Sequence, residues 1–293
     1  MSAALTSHFK HPLRGVLPVF QTPWLEDETI DLETLEQEIA WLYDCGANGI
    51  VMAMVSETLR LDSEEREQLA AAACRFGKER GVVVISVGAD AVMAIPPVSI
   101  GIGESELLAY YTRIIEAIRI PVIVQDASGY VGKPMPIAMQ ARLLDEFGPE
   151  RVQYKPEASP IGPKLSELRD TTKGRARVFE GTGGIALVDS FKRGVVGTMP
   201  GADLIRGLVP LWKALEAGDA DKADRIHGPL SALISMQTSL DGFLAVEKHL
   251  LKRQGIFKNT LVRGPVGFRL DAETTREVER QFDRMIEAVE RVF

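Results

Sequence analysis

The run Arg151-Val152-Gln153-Tyr154-Lys155-Pro156-Glu157 holds the residue with the most pointed chemistry in the chain. Side chains alternate along a strand, so Val152 and Tyr154 share one face and Gln153 and Lys155 the other. The apolar pair belongs against a helix layer, and Tyr154 is read as packing. Lys155 then points inward, where burial favours the neutral amine. Such an amine in a closed polar cavity is a nucleophile for a carbonyl carbon. A loop lysine or a salt-bridged structural lysine has the same spacing. Other short apolar runs also end in polar groups: Met54-Val55-Ser56-Glu57-Thr58, Gln125-Asp126-Ala127-Ser128, Glu180-Gly181-Thr182-Gly183-Gly184 and Gly197-Thr198-Met199-Pro200-Gly201. Glycine-rich turns that enter helices expose N–H groups suited to a carboxylate or phosphate, although plain turn chemistry also puts glycine there. Glu57 and Asp126 suit either chemistry or the bracing of backbone N–H groups.

The elements that must position these groups are eight short β-branched runs. They begin near Val16, Ile50, Val82, Ala91, Val122, Val152, Arg177 and Val195. Gly or Pro bounds them, as expected of buried parallel strands. Helical patterns fall at 33–44, 63–80, 104–118, 136–147, 161–172, 184–193 and 202–217, with further helices at 219–235, 238–253 and 271–292. The alternation predicts an α/β chain folded as a (β/α)8 TIM barrel over 1–218, with a C-terminal helical extension over 219–293. A doubly wound sheet would normally carry a glycine-rich first turn, which is lacking here. One interval is anomalous. No helix separates Val82-Val-Val-Ile-Ser-Val-Gly88 from Ala89-Asp-Ala-Val-Met-Ala-Ile-Pro-Pro97, yet parallel neighbours ordinarily need a long crossover. A hairpin, one bent strand, or two segments joined across a missing stretch each fit. The regular period favours the last and predicts a backbone break near Gly88–Asp90.

Composition removes several function classes. Of 293 residues, 34 are Lys or Arg and 41 Asp or Glu, a net charge of −7, which disfavours nucleic acid or an anionic membrane as partner. The four histidines show no metal-ligand spacing, so no metal is expected. Neither a dinucleotide fingerprint nor a P-loop occurs, and no cofactor is expected. Cys45 and Cys74 lie in helical stretches and read as thiols of a reducing compartment. The first residues lack an apolar signal core, and no apolar run is long enough to span a bilayer, so a cytoplasmic location is expected.

In their order, these motifs resemble the dihydrodipicolinate synthase and N-acetylneuraminate lyase family of class I aldolases. The likeness runs through G-V-L-P-V-F-Q-T-P (15–23), S-E-T-L-R-L-D-S-E-E-R (56–66), A-D-A-V-M-A-I-P-P (89–97), P-V-I-V-Q-D-A (121–127), Y-K-P-E (154–157) and E-G-T-G-G (180–184). It implies a barrel with a helical extension, a homo-oligomer (dimer or tetramer), and a Schiff-base lysine at Lys155. The departures are specific. Ala53-Met54-Val55-Ser56-Glu57 stands where the synthases and sialic acid lyases carry G-[TS]-T-G-E, Gln125 replaces the relay tyrosine, and Val98-Ser99 replaces an aromatic pair. Glutamine does not exchange a proton near neutral pH. The 2-keto-3-deoxy sugar-acid dehydratase branch is closer. It shares the Ser-Glu, the V-Q-D-A, a glutamate two past the lysine (Glu157) and E-G at Glu180-Gly181.

The resemblance therefore implies a Schiff-base-forming lyase acting on a small 2-oxo acid, a 2-keto-3-deoxy sugar-acid dehydratase or aldolase. Lys155, Ser56 and Glu57 are its candidate catalytic residues. Val55, Gln125, Asp126, Gly181, Val196 and Gly197 are its candidate substrate contacts, and Tyr130 is a weaker candidate for the missing phenol. Three alternatives stay open: a dihydrodipicolinate synthase using pyruvate and aspartate semialdehyde, a barrel that binds a 2-oxo acid without catalysis, and a metal-dependent barrel lyase.

Overall fold

Eight strands of two to five residues form the centre of the chain in a computed structural model, which describes residues 12–85, 89–97, 102–128 and 133–291. They are β1 (Gly15–Val16), β2 (Gly49–Val51), β3 (Val82–Val84), β4 (Val92–Ala94), β5 (Val122–Asp126), β6 (Val152–Pro156), β7 (Phe179–Glu180) and β8 (Gly197–Thr198). All paired strands are parallel: β1 with β8, β8 with β7, β2 with β3, and β4 with β5 and β6. Single parallel bridges join the pieces at Val19↔Val51, Val84↔Ala91 and Tyr154↔Val178, so the ring closes. The (β/α)8 barrel expected from the sequence is the fold.

Helices α1 (Leu32–Asp44), α2 (Ser63–Gly77), α3 (Glu104–Ala117), α4 (Ile137–Phe147), α5 (Ile161–Thr171), α6 (Leu187–Lys192) and α7 (Ile205–Ala217) surround the ring. The C-terminal helical extension follows as α8 (Ala220–Ile234), α9 (Leu240–Arg253) and α10 (Ala272–Glu290). Short polar side chains set the helix starts. Asp62 and Glu65 form a reciprocal capping box on α2, and Asp31, Asp219, Ser239 and Asp271 each accept a first-turn N–H. Such caps contribute about 1 kcal/mol each. No helix among the described residues is long and apolar enough to cross a membrane.

Strand alternation divides the core in two. Val122, Val124, Val152 and Tyr154 face the helix layer, while Leu17, Val19, Val51, Val84, Ile123, Phe179 and Met199 fill the barrel interior. The interior is therefore a packed, mostly apolar plug, with Gln153 beside Ile123 and further polar groups at the carboxyl end.

The connection from β3 to β4 is neither a hairpin nor one bent strand. Val84 and Ala91 bridge in parallel, the Ile85 N–H donates to the Ala91 carbonyl at 3.1 Å, and the Asp90 N–H donates to the Val83 carbonyl at 2.9 Å. The Asp90 carboxylate accepts the Val83 N–H at 2.9 Å. The break expected near Gly88–Asp90 falls on a stretch whose residues 86–88 lie outside the described ones. Val98, Ser99 and Tyr130 lie outside them as well.

Candidate active site

Lys155 projects from β6 at the carboxyl end of the barrel, on the face opposite Tyr154. The pairing of β5 with β6 sets Gln125 beside Lys155. The Lys155 ammonium lies 3.0 Å from a Glu157 carboxylate oxygen, and Gln125 Nε2 donates to that same oxygen at 2.8 Å. All three side chains are buried, Lys155 to 5% exposure. Burial raises the Glu157 carboxyl above its ordinary range, while Lys155 and Gln125 pull it back. Its second oxygen, Oε2, has no hydrogen-bond partner. A carboxylate at this distance from an ammonium is placed to exchange a proton with it.

Gly181 has a specific reason to be glycine. A Cβ there would sit 3.0 Å from Lys155 Cε and 3.0 Å from Glu157 Cγ. The backbone after β7 thus closes directly over the reactive pair. Glu180 holds that turn in place: its carboxylate accepts the Thr182 N–H at 2.6 Å and the Thr198 hydroxyl at 2.7 Å.

The pocket at the barrel mouth encloses about 40 Å³ and is lined by Lys155, Glu157, Gln125, Val55, Gly181 and Glu247, with Met199, Pro200 and Gly201 after β8. Among the residues expected from the sequence, Lys155, Gln125, Val55 and Gly181 therefore meet at one place.

The others are placed elsewhere. Ser56 is fully buried, donates through Oγ to the Phe20 carbonyl, and accepts the Ala53 N–H at 3.2 Å. Glu57 turns behind the cavity because its backbone is left-handed, φ 57°. Its carboxylate pairs with the buried Lys248 of α9 and accepts Trp24 Nε1 at 3.0 Å and the Arg263 N–H at 3.3 Å. Asp126 accepts the N–H groups of Ser128 at 3.0 Å and Met135 at 2.9 Å, bracing the segment after β5. Val196 and Gly197, expected to touch substrate, lie at the opposite end of β8. Gly197 pairs with Gly15 at the start of β1, and Val196 lines a surface pocket with Arg14 and Trp212. The carboxyl end of β8 comes later, at Met199–Gly201, because the pairing with β1 sets its register.

Glu247 is the site residue that sequence reasoning missed. It arrives on α9 and lies against Gly201, where a Cβ would meet its Oε1. The Gln21 side-chain amide donates to it. Burial, then the neighbouring Asp203 and Glu38, raise its carboxyl well above the ordinary range, although Gln21 and Lys248 oppose this. Asp203 is pushed up to about 7 and Glu38 to about 8, both chiefly by burial. Among the described residues, no group of histidine, cysteine or carboxylate side chains is arranged to hold a metal ion.

A parallel barrel with a buried lysine–glutamate pair at its carboxyl end defines the architectural class. The model of the Dihydrodipicolinate synthetase family matches residues 12–285, and the chain belongs to that family of lyases. It is 26% identical over 280 residues to L-2-keto-3-deoxyarabonate dehydratase of Azospirillum brasilense, covering 86% of this chain and 88% of that protein. It is 25% identical over 291 residues to 4-hydroxy-tetrahydrodipicolinate synthase of Parabacteroides distasonis, covering 92% and 97%. The crystal structure of dihydrodipicolinate synthase from Rhodopseudomonas palustris superposes with a TM-score of 0.82 at 23% identity, covering 92% of this chain and 97% of that one. That structural likeness supports the fold.

Proposed function

We propose that the chain is a Schiff-base-forming lyase acting on a 2-oxo acid of the 2-keto-3-deoxy type, as a dehydratase or an aldolase. The observation that carries this reading is the buried contact of Lys155 with Glu157, held by Gln125 under the Gly181 turn. Glu157 accepts the ammonium proton, and the Lys155 amine attacks C2 of the substrate. The carbinolamine hydroxyl leaves as water with the proton that Glu157 returns. The resulting iminium withdraws electrons, so a proton is lost from C3 and an enamine forms. From the enamine, expulsion of a C4 hydroxyl with a proton is dehydration. In the other direction, cleavage of the C3–C4 bond of a 4-hydroxy acid releases an aldehyde and leaves the enamine on the lysine. The C1 carboxylate is assigned to the backbone at Met54–Val55, where a 3-10 turn over Met54–Ser56 lines the cavity. The first N–H groups of a helical turn have no acceptor within it.

Gln125 stands where a synthase or sialic acid lyase would carry its relay tyrosine, which favours the dehydratase or aldolase reading over dihydrodipicolinate synthesis. The protein's partner is then a small 2-oxo acid, with a second copy of the chain as the expected assembly partner. The test is incubation with pyruvate, 2-oxobutyrate and 2-keto-3-deoxy pentonates and hexonates in the presence of borohydride, followed by intact mass and peptide mapping. A reduced adduct on Lys155 is the expected result. Absence of an adduct with every acid would overturn the reading.

A further inference from the structure

We propose that the site takes a 2-oxo acid whose substituent beyond C4 is apolar, an alkyl or aryl group, seated in a groove on the barrel flank where a helix is missing between β3 and β4. The inference rests on the Schiff-base reading for where C2 sits and extends it to the rest of the substrate.

The groove has a topological cause. Every other pair of consecutive strands brackets a helix, from α1 between β1 and β2 to α6 between β7 and β8. Only seven positions separate Val84 from Val92, too few for a crossover helix. Among the described residues, no helix between β3 and β4 covers the flank of the barrel next to α2. A cavity of about 850 Å³ opens there, lined by Met52, Met54, Leu59, Ala71, Met93 and Ile95 among others. That volume is in the range of sites for drug-sized ligands, roughly 300–1,000 Å³. Its rim carries Leu59, 56% exposed, the most exposed large apolar side chain among the described residues.

The cavity adjoins the candidate active site across a shared wall. Ala53, Met54 and Gln125 line both, and Gln125 is the residue that holds Glu157 against Lys155. The space at Lys155 is about 40 Å³, room for about three or four water molecules at roughly 10–15 Å³ each. It accommodates the first carbons of an acid bound through C2 and little more. A longer chain must leave past one of the walls. Beyond the wall at Gln125 and Met54 lies a surface made mostly of methionine, leucine, isoleucine and alanine side chains, with Thr58, Arg66, Glu67 and Cys74 also lining it. A polyol would strip its hydroxyls of water there with few partners in return, which is costly. An aryl or alkyl group gains from the same surface. The methionines suit a planar or irregular substituent, because their side chains are flexible and polarisable.

The test compares borohydride trapping on Lys155 with pyruvate, 4-phenyl-2-oxobutanoate and 2-keto-3-deoxygluconate, read as half-saturating concentrations by intact mass. The phenyl acid is expected to saturate at a concentration at least about tenfold below pyruvate, since burying a ring contributes that much or more. Ala71→Trp and Leu59→Glu are the paired variants. Both positions are on exposed surface, so at least one should fold. Each is expected to bring the ratio of the phenyl acid to pyruvate close to one. A wild-type protein without preference for the phenyl acid, or a ratio unchanged in both variants, overturns the inference. If no acid yields an adduct, the Schiff-base reading fails by itself. Saturation-transfer NMR with 4-phenylbutanoate, which has no carbonyl at C2, then decides the groove: binding weakened by Ala71→Trp supports it, and no binding overturns it.

Discussion

Replacing Glu38 with glutamine should make the protein more stable in mild alkali, against the usual expectation for a buried polar residue. Glu38 sits on α1 with no exposed surface. One carboxylate oxygen accepts the Gln21 N–H at 2.9 Å, and the other has no partner. Burial, only partly offset by that N–H and by Lys248, raises its carboxyl from 4.5 to about 8. The native protein therefore keeps a proton that the unfolded chain gives up. Stability is full below the unfolded value near 4.5 and declines as pH rises through 8. A shift of this size corresponds to a ceiling of about 5 kcal/mol, at roughly 1.4 kcal/mol per unit. Glu38→Gln retains the acceptor for Gln21 and removes the titration. The wild type and variant should be within about 1 kcal/mol of each other at pH 5, since the two side chains are then both neutral and isosteric. By pH 9 the variant should be ahead by a few kcal/mol. A chain of this size gains about 2–4 °C in thermal midpoint per kcal/mol. Both proteins would still lose some stability with pH, because Asp203 and Glu247 are raised in the same sense. Thermal and urea unfolding from pH 5 to 9 reads the difference directly. Parallel curves for the two proteins, or a variant weaker than wild type at pH 9, would refute the claim that Glu38 holds its proton in the fold.

Other substitutions probe the site and its support. Lys155→Arg should abolish the borohydride adduct while leaving the circular dichroism spectrum and thermal midpoint near wild type; an adduct that persists on another lysine would displace Lys155 from its role. Glu157→Gln should slow adduct formation by about 10²-fold or more, the usual worth of a positioned acid–base group, with a flattened pH profile as the signature; an unchanged rate would leave Glu157 a packing residue. Gly181→Ala places a methyl 3.0 Å from Lys155 Cε and Glu157 Cγ, both on flexible side chains, so trapping should fall about tenfold with at most ~1 kcal/mol lost in stability. Lys248→Met should cost about 3 kcal/mol by removing the nearer of the two cations at the buried Glu57 carboxylate, Arg60 remaining at 3.9 Å, as read by urea unfolding at pH 7; restoration by Glu57→Gln in the same chain would confirm the pairing.

The legible and illegible parts of the site divide along a physical line. Lys155 was legible because both faces of β6 are buried against different surroundings, so alternation alone separates the packing face from the interior. Tyr154 shows the other side of the same rule: its hydroxyl donates to the Gln140 carbonyl of α4 at 2.6 Å, in the helix layer. Gln125 followed from its place at the end of an unbroken apolar strand. The position of Val196 and Gly197 was not legible, because a two-residue strand has no periodicity and its register depends on Gly15 of a strand far away in sequence. Glu57 sits in the right segment, yet one left-handed residue rotates its side chain out of the cavity, and composition does not show that. Glu247 had no local signal at all. It lies on an amphipathic helix whose role is decided by where the C-terminal extension docks.

The docking also explains why the segment after β2 can lose the hydroxyls expected in related lyases and keep its shape. Ser56 and Glu57 are tied on their far side, Ser56 to the Phe20 carbonyl and Thr22, Glu57 to Trp24, Lys248 and Arg263. Arg263 in turn lies 3.9 Å from the Trp24 ring centroid and pairs with Glu65 at 2.7 Å, so the C-terminal segment, the first turn of α2 and the segment after β1 are locked together. Side chains of this network do not reach the reacting centre; they fix the backbone that does. On the proposed Schiff-base reading, the half of the site that handles C2 is built on β5, β6 and the turn after β7, each set by strand pairing or by the Glu180 brace. The half beyond C4 would then face the flank between β3 and β4, where the described residues form no helix. On that reading the flank can vary while β6 and the turn after β7 stay fixed, except at Gln125, which with Ala53 and Met54 lines both halves and also holds Glu157.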